Sequence, residues 1–297
     1  MQPPSSEKPN VESPPIFITG APRSGTSWLG EMLATCSGSR YVYEPFNPQW
    51  NPSLQGVLGH FRYARKNDYL PAPVEDAARK AFIGKQSSKQ RLRSVYRGYW
   101  RTQLGTKDRI IVKDPTAVLM SDWVAHKFNA KILTIIRHPC GFASSIESLD
   151  WKLNVDHLRV QDELMSDYLA PFEDLLIGAR ADPWLTIGAY WAAIHSVLFQ
   201  QIENHKEWIS CSYEDLCNDP VGQFSRLAGQ LNLSVPDKRW DILRESSTAA
   251  GDNGRSGSAA TRRDSGRMPE IWRERLSEHQ IDAIEGIVRD FGLGEYV

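Results

Sequence analysis

One stretch constrains this chain more than any other: Ile16-Phe17-Ile18-Thr19-Gly20-Ala21-Pro22-Arg23-Ser24-Gly25-Thr26-Ser27-Trp28-Leu29. A run of β-branched and aromatic residues enters a glycine-containing turn, after which Trp28, Leu29, Met32 and Leu33 recur at helical spacing. A strand, a glycine turn and a helix start make an anion cradle, because free backbone N–H groups and the positive end of the helix converge on one point. Gly20 and Gly25 have the spacing of the phosphate loop G-x-x-x-x-G-K-[ST], but Thr26 stands where that motif places lysine. A nucleoside triphosphatase needs that lysine on its β and γ phosphates. Here Arg23 offers a cation from inside the loop, and Thr26 and Ser27 offer hydroxyls. A turn that merely joins strand to helix is the plain alternative, and the cation within the loop argues against it.

The rest of the chain repeats the pattern. Ile16 to Thr19, Tyr41 to Tyr43, Arg109 to Lys113, Lys131 to Ile136 and Trp208 to Ser212 read as five short strands separated by helical stretches such as Trp184 to Asn204. Strands alternating with helices predict an α/β fold, a P-loop-like three-layer arrangement with a mostly parallel central sheet flanked by helices. Ligands then sit beyond the carboxyl ends of the strands. The fourth strand ends in Arg137-His138-Pro139, where a metal-dependent phosphate-transfer enzyme would want an aspartate. Arg137, with Ser145 two helical turns later, predicts a second phosphate site, since a guanidinium makes bidentate bonds to phosphate oxygens.

Composition narrows the class of partner. The 35 Lys and Arg nearly balance the 36 Asp and Glu, for a net charge of -1, so the chain is no general polyanion coat and no nucleic-acid partner is expected. The balance hides asymmetry, with nine basic and no acidic residues from 77 to 107, and seven acidic against two basic from 150 to 175. Both runs are read either as additions around a binding site or as solvated surface. The first 15 residues hold five Pro and three Ser and predict a loose tail, leaving 16–297 as a single domain. No apolar run reaches the roughly 18 residues of a bilayer span, so no membrane partner is expected. Cys36, Cys140, Cys211 and Cys217 lack CxxC spacing, which points to reduced thiols, a cytoplasmic location and no zinc site.

Together these pieces resemble the sulfotransferase family that uses 3'-phosphoadenosine 5'-phosphosulfate. Pro22-Arg23-Ser24-Gly25-Thr26-Ser27-Trp28 is similar to that family's 5'-phosphosulfate loop, and Arg137 with Ser145 to its 3'-phosphate pair. Tyr213-Glu214-Asp215-Leu216 resembles the corner near its adenine. The Gly/Arg/Ser-rich stretch 246–267, with Arg262 and Arg263, resembles its nucleotide-covering loop. The resemblance implies that donor, 3',5'-adenosine bisphosphate as its product, no metal, and acceptor-shaping segments near 46–107 and 150–185.

Departures from the pattern locate the chain within the family. Members acting on phenols and steroids usually carry a loop lysine and a Lys-Thr-His string after the third strand, whereas this chain has Arg23 and Lys113-Asp114-Pro115. The loop arginine and Tyr43-Glu44-Pro45-Phe46 are more like the carbohydrate and tyrosylprotein sulfotransferases, without their membrane anchor. The expected reaction is in-line sulfuryl transfer to a hydroxyl of a sugar or natural product, in a soluble, bacterial-like member. Glu44 is the expected general base, with a turn cap as its alternative and His60 as a substitute base. Arg23 is expected to stabilise the charge developing on the leaving phosphate, and Lys113 is read either as a second cation there or as a surface lysine. Trp50, Phe61, Tyr63 and Trp151 are candidates for an acceptor wall, with core packing as the alternative. Two rivals stay open: a nucleotide kinase or triphosphatase that reads Ile110 to Asp114 as a metal-binding strand, and a noncatalytic polyanion binder using 77–107.

Overall fold

A computed structural model of the chain describes residues 13–96, 109–236 and 265–297. Five strands, β1 (Ile16–Thr19), β2 (Ser39–Tyr43), β3 (Arg109–Lys113), β4 (Lys131–Ile136) and β5 (Ile209–Ser212), form one sheet in the order β2-β3-β1-β4-β5. Every pairing is parallel. The central strands are short and almost wholly buried, as expected of a sheet covered on both faces. Two boundaries differ from the sequence reading. β2 begins two residues earlier, because Ser39 and Arg40 pair with Arg109 and Ile110 despite their polarity. β5 begins one residue later, since the N–H of Trp208 closes a turn onto the His205 carbonyl.

The sheet separates two packing layers. On one face α1 (Thr26–Leu33) and the helices Tyr213–Asn218 and Pro220–Gln230 bury Leu29, Leu33, Leu216 and Leu227 against Ile16, Ile18 and Ile111. On the other, α2 (Ala72–Phe82) and α4 (Ser121–Phe128) cover Phe17, Val112 and Ile132. α5 (Pro139–Glu147), the long helix Pro183–Asn204 and the helix Glu278–Asp290 build a third apolar cluster around Trp191. That 22-residue helix starts where Asp182 caps it, its carboxylate accepting from the N–H groups of Trp184 and Leu185. None of the described helices is long and apolar enough to cross a membrane.

The outer edge of β2 is covered by side chains. From α3 (Ser88–Tyr96) and the turn before it, the amides of Gln86 and Gln90 donate to the carbonyls of Tyr41 and Tyr43. This satisfies an edge that would otherwise invite pairing with another strand. Part of the acidic run pairs within the chain, with Asp167 accepting from Arg65 and the Tyr63 hydroxyl, and Asp156 and Glu173 from Arg159.

Candidate active site

The phosphate loop follows β1 and needs its glycines. Gly20 has φ 146°, and a Cβ there would run into the Ile135 carbonyl oxygen. Gly25 has φ 95° at the start of α1, and a Cβ would lie 2.7 Å from the ring of Tyr213. Any L side chain is therefore excluded sterically as well as conformationally. Between them Ser24 is fully buried, with a hydroxyl oxygen that has no hydrogen-bond partner in the structure. A buried hydroxyl without a partner is costly unless a ligand completes it. The first helical residues, Thr26 and Ser27, and Trp28 follow directly, and Trp28 packs edge-on against Phe224 at 5.5 Å and Tyr213 at 6.5 Å.

The second cluster lies beside the first, and Arg23 joins them. Arg23 takes the left-handed φ of 67°, and its Nε donates to Ser145 Oγ at 3.0 Å. Its carbonyl accepts from Arg137 Nη1 at 2.8 Å. Arg23, expected at the first phosphate, thus also bonds Ser145 and Arg137, the two residues expected at the second. Arg137 is buried, stacked over Tyr213 at 4.4 Å from the ring centroid, and its Nε has no hydrogen-bond partner. A Cβ at position 141 would approach that Nε to 3.0 Å, so the glycine keeps room beside it. The Arg137 carbonyl takes the indole N–H of Trp191 at 2.9 Å, and the next peptide N–H donates to Glu214 at 3.1 Å. His138 caps α5 and stacks on Trp272 at 4.8 Å, and burial lowers its pKa. Arg262 and Arg263 lie outside the described residues.

The third cluster stands at the ends of β2 and β3. Lys113 is fully buried and its Nζ lies 2.5 Å from Glu44 Oε1, so the reading of a surface lysine is replaced by a buried ion pair. Glu44 has φ 42°, and its second oxygen accepts from the Asn47 side chain at 2.8 Å. Burial alone would raise the Glu44 pKa. The Lys113 charge and hydrogen bonds from Lys113, Asn47 and Tyr43 outweigh it and hold the carboxyl below its ordinary range. His60 Nε2 lies 3.4 Å from Asn47 Oδ1, one hydrogen bond removed from Glu44, and burial lowers its pKa. The ring of Tyr43 meets two cations, Lys113 Nζ at 3.7 Å and Arg93 at 3.4 Å from its centroid.

The remaining candidates sort themselves by contact. Phe61 and Tyr63 are core residues, Phe61 packing on Tyr190 at 5.4 Å. Trp50 is half-buried against Tyr43, and Trp151 is exposed. His195 is fully buried on the Trp191 carbonyl, its pKa pushed down to about 4 by burial, which suits a structural role. The four cysteines are free and buried, with burial pushing the thiols of Cys36 and Cys217 up to about 11 and those of Cys140 and Cys211 to about 12. None is an activated nucleophile. The metal-strand reading of Asp114 fails on contacts, since its oxygens already accept from the Phe46 N–H and from both the N–H and hydroxyl of Thr116.

Fold and site together define an α/β protein with a phosphate loop and a second cationic cluster beyond the strand ends. Residues 14–237 match the model of the sulfotransferase family, and the chain belongs to that family. Similar solved structures include a sulfotransferase domain from a Synechococcus olefin synthase, 17% identical over 96% of this chain and 98% of that one, with a TM-score of 0.48. A sulfotransferase domain from the curacin biosynthetic pathway is 18% identical over 94% and 98%, with a TM-score of 0.46. A mouse sulfotransferase complexed with PAP is 14% identical over 94% and 84%, also at 0.46. No curated protein matches the sequence.

Proposed function

We propose that this sulfotransferase takes its sulfuryl group from 3'-phosphoadenosine 5'-phosphosulfate and delivers it, without a metal, to a hydroxyl of a sugar or natural-product acceptor, with Glu44 as general base. The observation that carries the donor assignment is a pair of neighbouring buried donors without partners, which we read as two anion sites. The phosphate loop ends on a buried, unpartnered Ser24 hydroxyl, and Arg137 beside it keeps a buried, unpartnered Nε. A nucleotide with phosphates at two separated positions fits both, and a triphosphate fits neither the missing loop lysine nor the arginine-ended strand.

When bound, the donor supplies a sulfuryl group on a phosphate leaving group. The loop N–H groups, Arg23, Ser24, Thr26 and Ser27 would hold the 5' phosphate and meet the charge that develops on it, while Arg137 and Ser145, to which Arg23 is bonded, would hold the 3' phosphate. Tyr213 and Trp28 would border the base. Glu44 accepts the proton of the acceptor hydroxyl, and Lys113 keeps its carboxylate ionised beforehand. Positioning and charge stabilisation dominate such a transfer. The cytoplasmic setting belongs to the same proposal.

The test is a comparison of nucleotides. Arg137→Ala should weaken 3',5'-adenosine bisphosphate by about 1.5 to 3 kcal/mol, the worth of a hydrogen bond to a charged group, and leave AMP nearly untouched. Equal losses for both ligands, measured by calorimetry, would remove Arg137 from the 3'-phosphate site.

A further inference from the structure

Asp114 takes no part in the chemistry proposed above, yet it is fully buried at the point where three strand ends meet. Its N–H donates to the Ile18 carbonyl at 3.0 Å and its carbonyl accepts from the Thr19 hydroxyl at 2.9 Å, which ties β3 to β1. Its Oδ2 accepts from the Phe46 N–H at 2.7 Å, two residues beyond Glu44. Its Oδ1 accepts from the Thr116 N–H at 2.9 Å and the Thr116 hydroxyl at 2.7 Å, which fixes the side-chain rotamer. The Glu44 N–H donates to the Lys113 carbonyl at 2.7 Å, so the turn carrying Glu44 hangs from β3 by two hydrogen bonds, one at each end.

That turn needs holding. Glu44 sits in the left-handed region, where a glutamate is unfavourable by about 1 kcal/mol or more. Such a conformation persists only when its surroundings over-determine it. We infer that Asp114 is the positioning residue of the acceptor-side base: its carboxylate clamps the Phe46 N–H and so holds Glu44 at Lys113 in the orientation the transfer requires. The inference rests on the reading of Glu44 as base. Charge supports it as well. Complete burial and the neighbouring Glu44 carboxylate push the Asp114 carboxyl up to about 7, against the hydrogen bonds from Thr116 and Phe46 and the charge of Lys113. Among the described residues, the titratable and charged groups facing this cluster are Glu44, Lys113, Tyr43, Arg93 and His60.

Asp114→Asn keeps an oxygen for the two Thr116 donors and turns an N–H toward the Phe46 N–H, releasing the clamp. It should lower kcat by about 10- to 100-fold, the range for residues that orient a catalytic group, with the affinity for 3',5'-adenosine bisphosphate unchanged. Thr116→Val is the milder companion, should the first variant not fold. It removes the hydroxyl that fixes the Asp114 rotamer and should lower kcat by about 2- to 10-fold, the worth of one hydrogen bond. In a Glu44→Gln background the Thr116→Val loss should vanish, because residues acting through one group are not additive. A loss of the same size in both backgrounds, or normal kcat in both Asp114→Asn and Thr116→Val, overturns the proposal. If Glu44→Gln itself keeps full turnover, the reading of Glu44 fails and the clamp fails with it. If only Glu44→Gln is impaired, the base reading stands and the clamp falls alone.

Discussion

Glu44→Gln should reduce turnover by about 10²- to 10⁴-fold, the usual worth of general acid–base catalysis, with bisphosphate affinity unchanged. The geometry places the expectation toward the lower end of that range. A carboxylate held below its ordinary pKa by Lys113 is a weaker base, and the driving force for proton transfer falls with it. The same ion pair keeps Glu44 ionised across the neutral range, so the acid limb it contributes to kcat should lie below pH 4.5, its ordinary value. The turn-cap alternative loses its basis, because the carboxylate accepts from the Lys113 and Asn47 side chains rather than capping a helix. Neutralising Glu44 also leaves a fully buried lysine without its anion. The variant should therefore also show a measurable loss of stability. Turnover must be read per folded site, counted by bisphosphate titration, and a variant with wild-type kcat per site removes Glu44 from the chemistry.

Removing the cation should cost the fold more. Lys113→Ala strands the Glu44 carboxylate in a site where both groups are buried, and breaking a buried pair from one side costs about 3–5 kcal/mol. The pH dependence identifies the mechanism. In the wild type the Glu44 pKa is depressed by folding, so its contribution to stability is present above pH 4.5 and is lost as pH falls through the folded value. Without Lys113, burial is left to raise that pKa, so the variant gains stability as pH falls and Glu44 takes up a proton. The gap between wild type and variant should widen as pH rises through 4.5, in denaturant melts run from pH 3.5 to 7.5. A gap independent of pH would mean that lost packing, not charge, explains the destabilisation.

The order of elements was legible in the sequence because a fully buried parallel sheet needs short β-branched runs bounded by turn residues, and five such runs were present. The phosphate loop was legible for the same local reason, since Gly20 and Gly25 are required by backbone geometry that their own neighbours impose. What stayed hidden were contacts between distant side chains. Arg23 bonding Ser145 spans 122 positions, and Lys113 bonding Glu44 spans 69. Neither pair has a periodic or spacing signal. Asp114 escaped for a related reason: in a string of three residues it reads as a lysine's neighbour, and only the sheet brings Phe46 to its carboxylate. Gln86 and Gln90, four residues apart on the side that meets β2, could have been noticed as helix-spaced polar residues in a basic run, but the edge they cover was not visible. The stack of His138 on Trp272 likewise joins a strand end to a segment 134 residues later (272 − 138).

The identity of the donor decides the chemistry of the site. Calorimetric titration with 3',5'-adenosine bisphosphate and with ATP, each with and without magnesium, tests it most directly. The two proposed anion sites predict that the bisphosphate binds more tightly than ATP and that magnesium leaves its affinity unchanged. ATP binding more tightly than the bisphosphate, and only with magnesium, would contradict the donor assignment and return the loop to the triphosphate-using class.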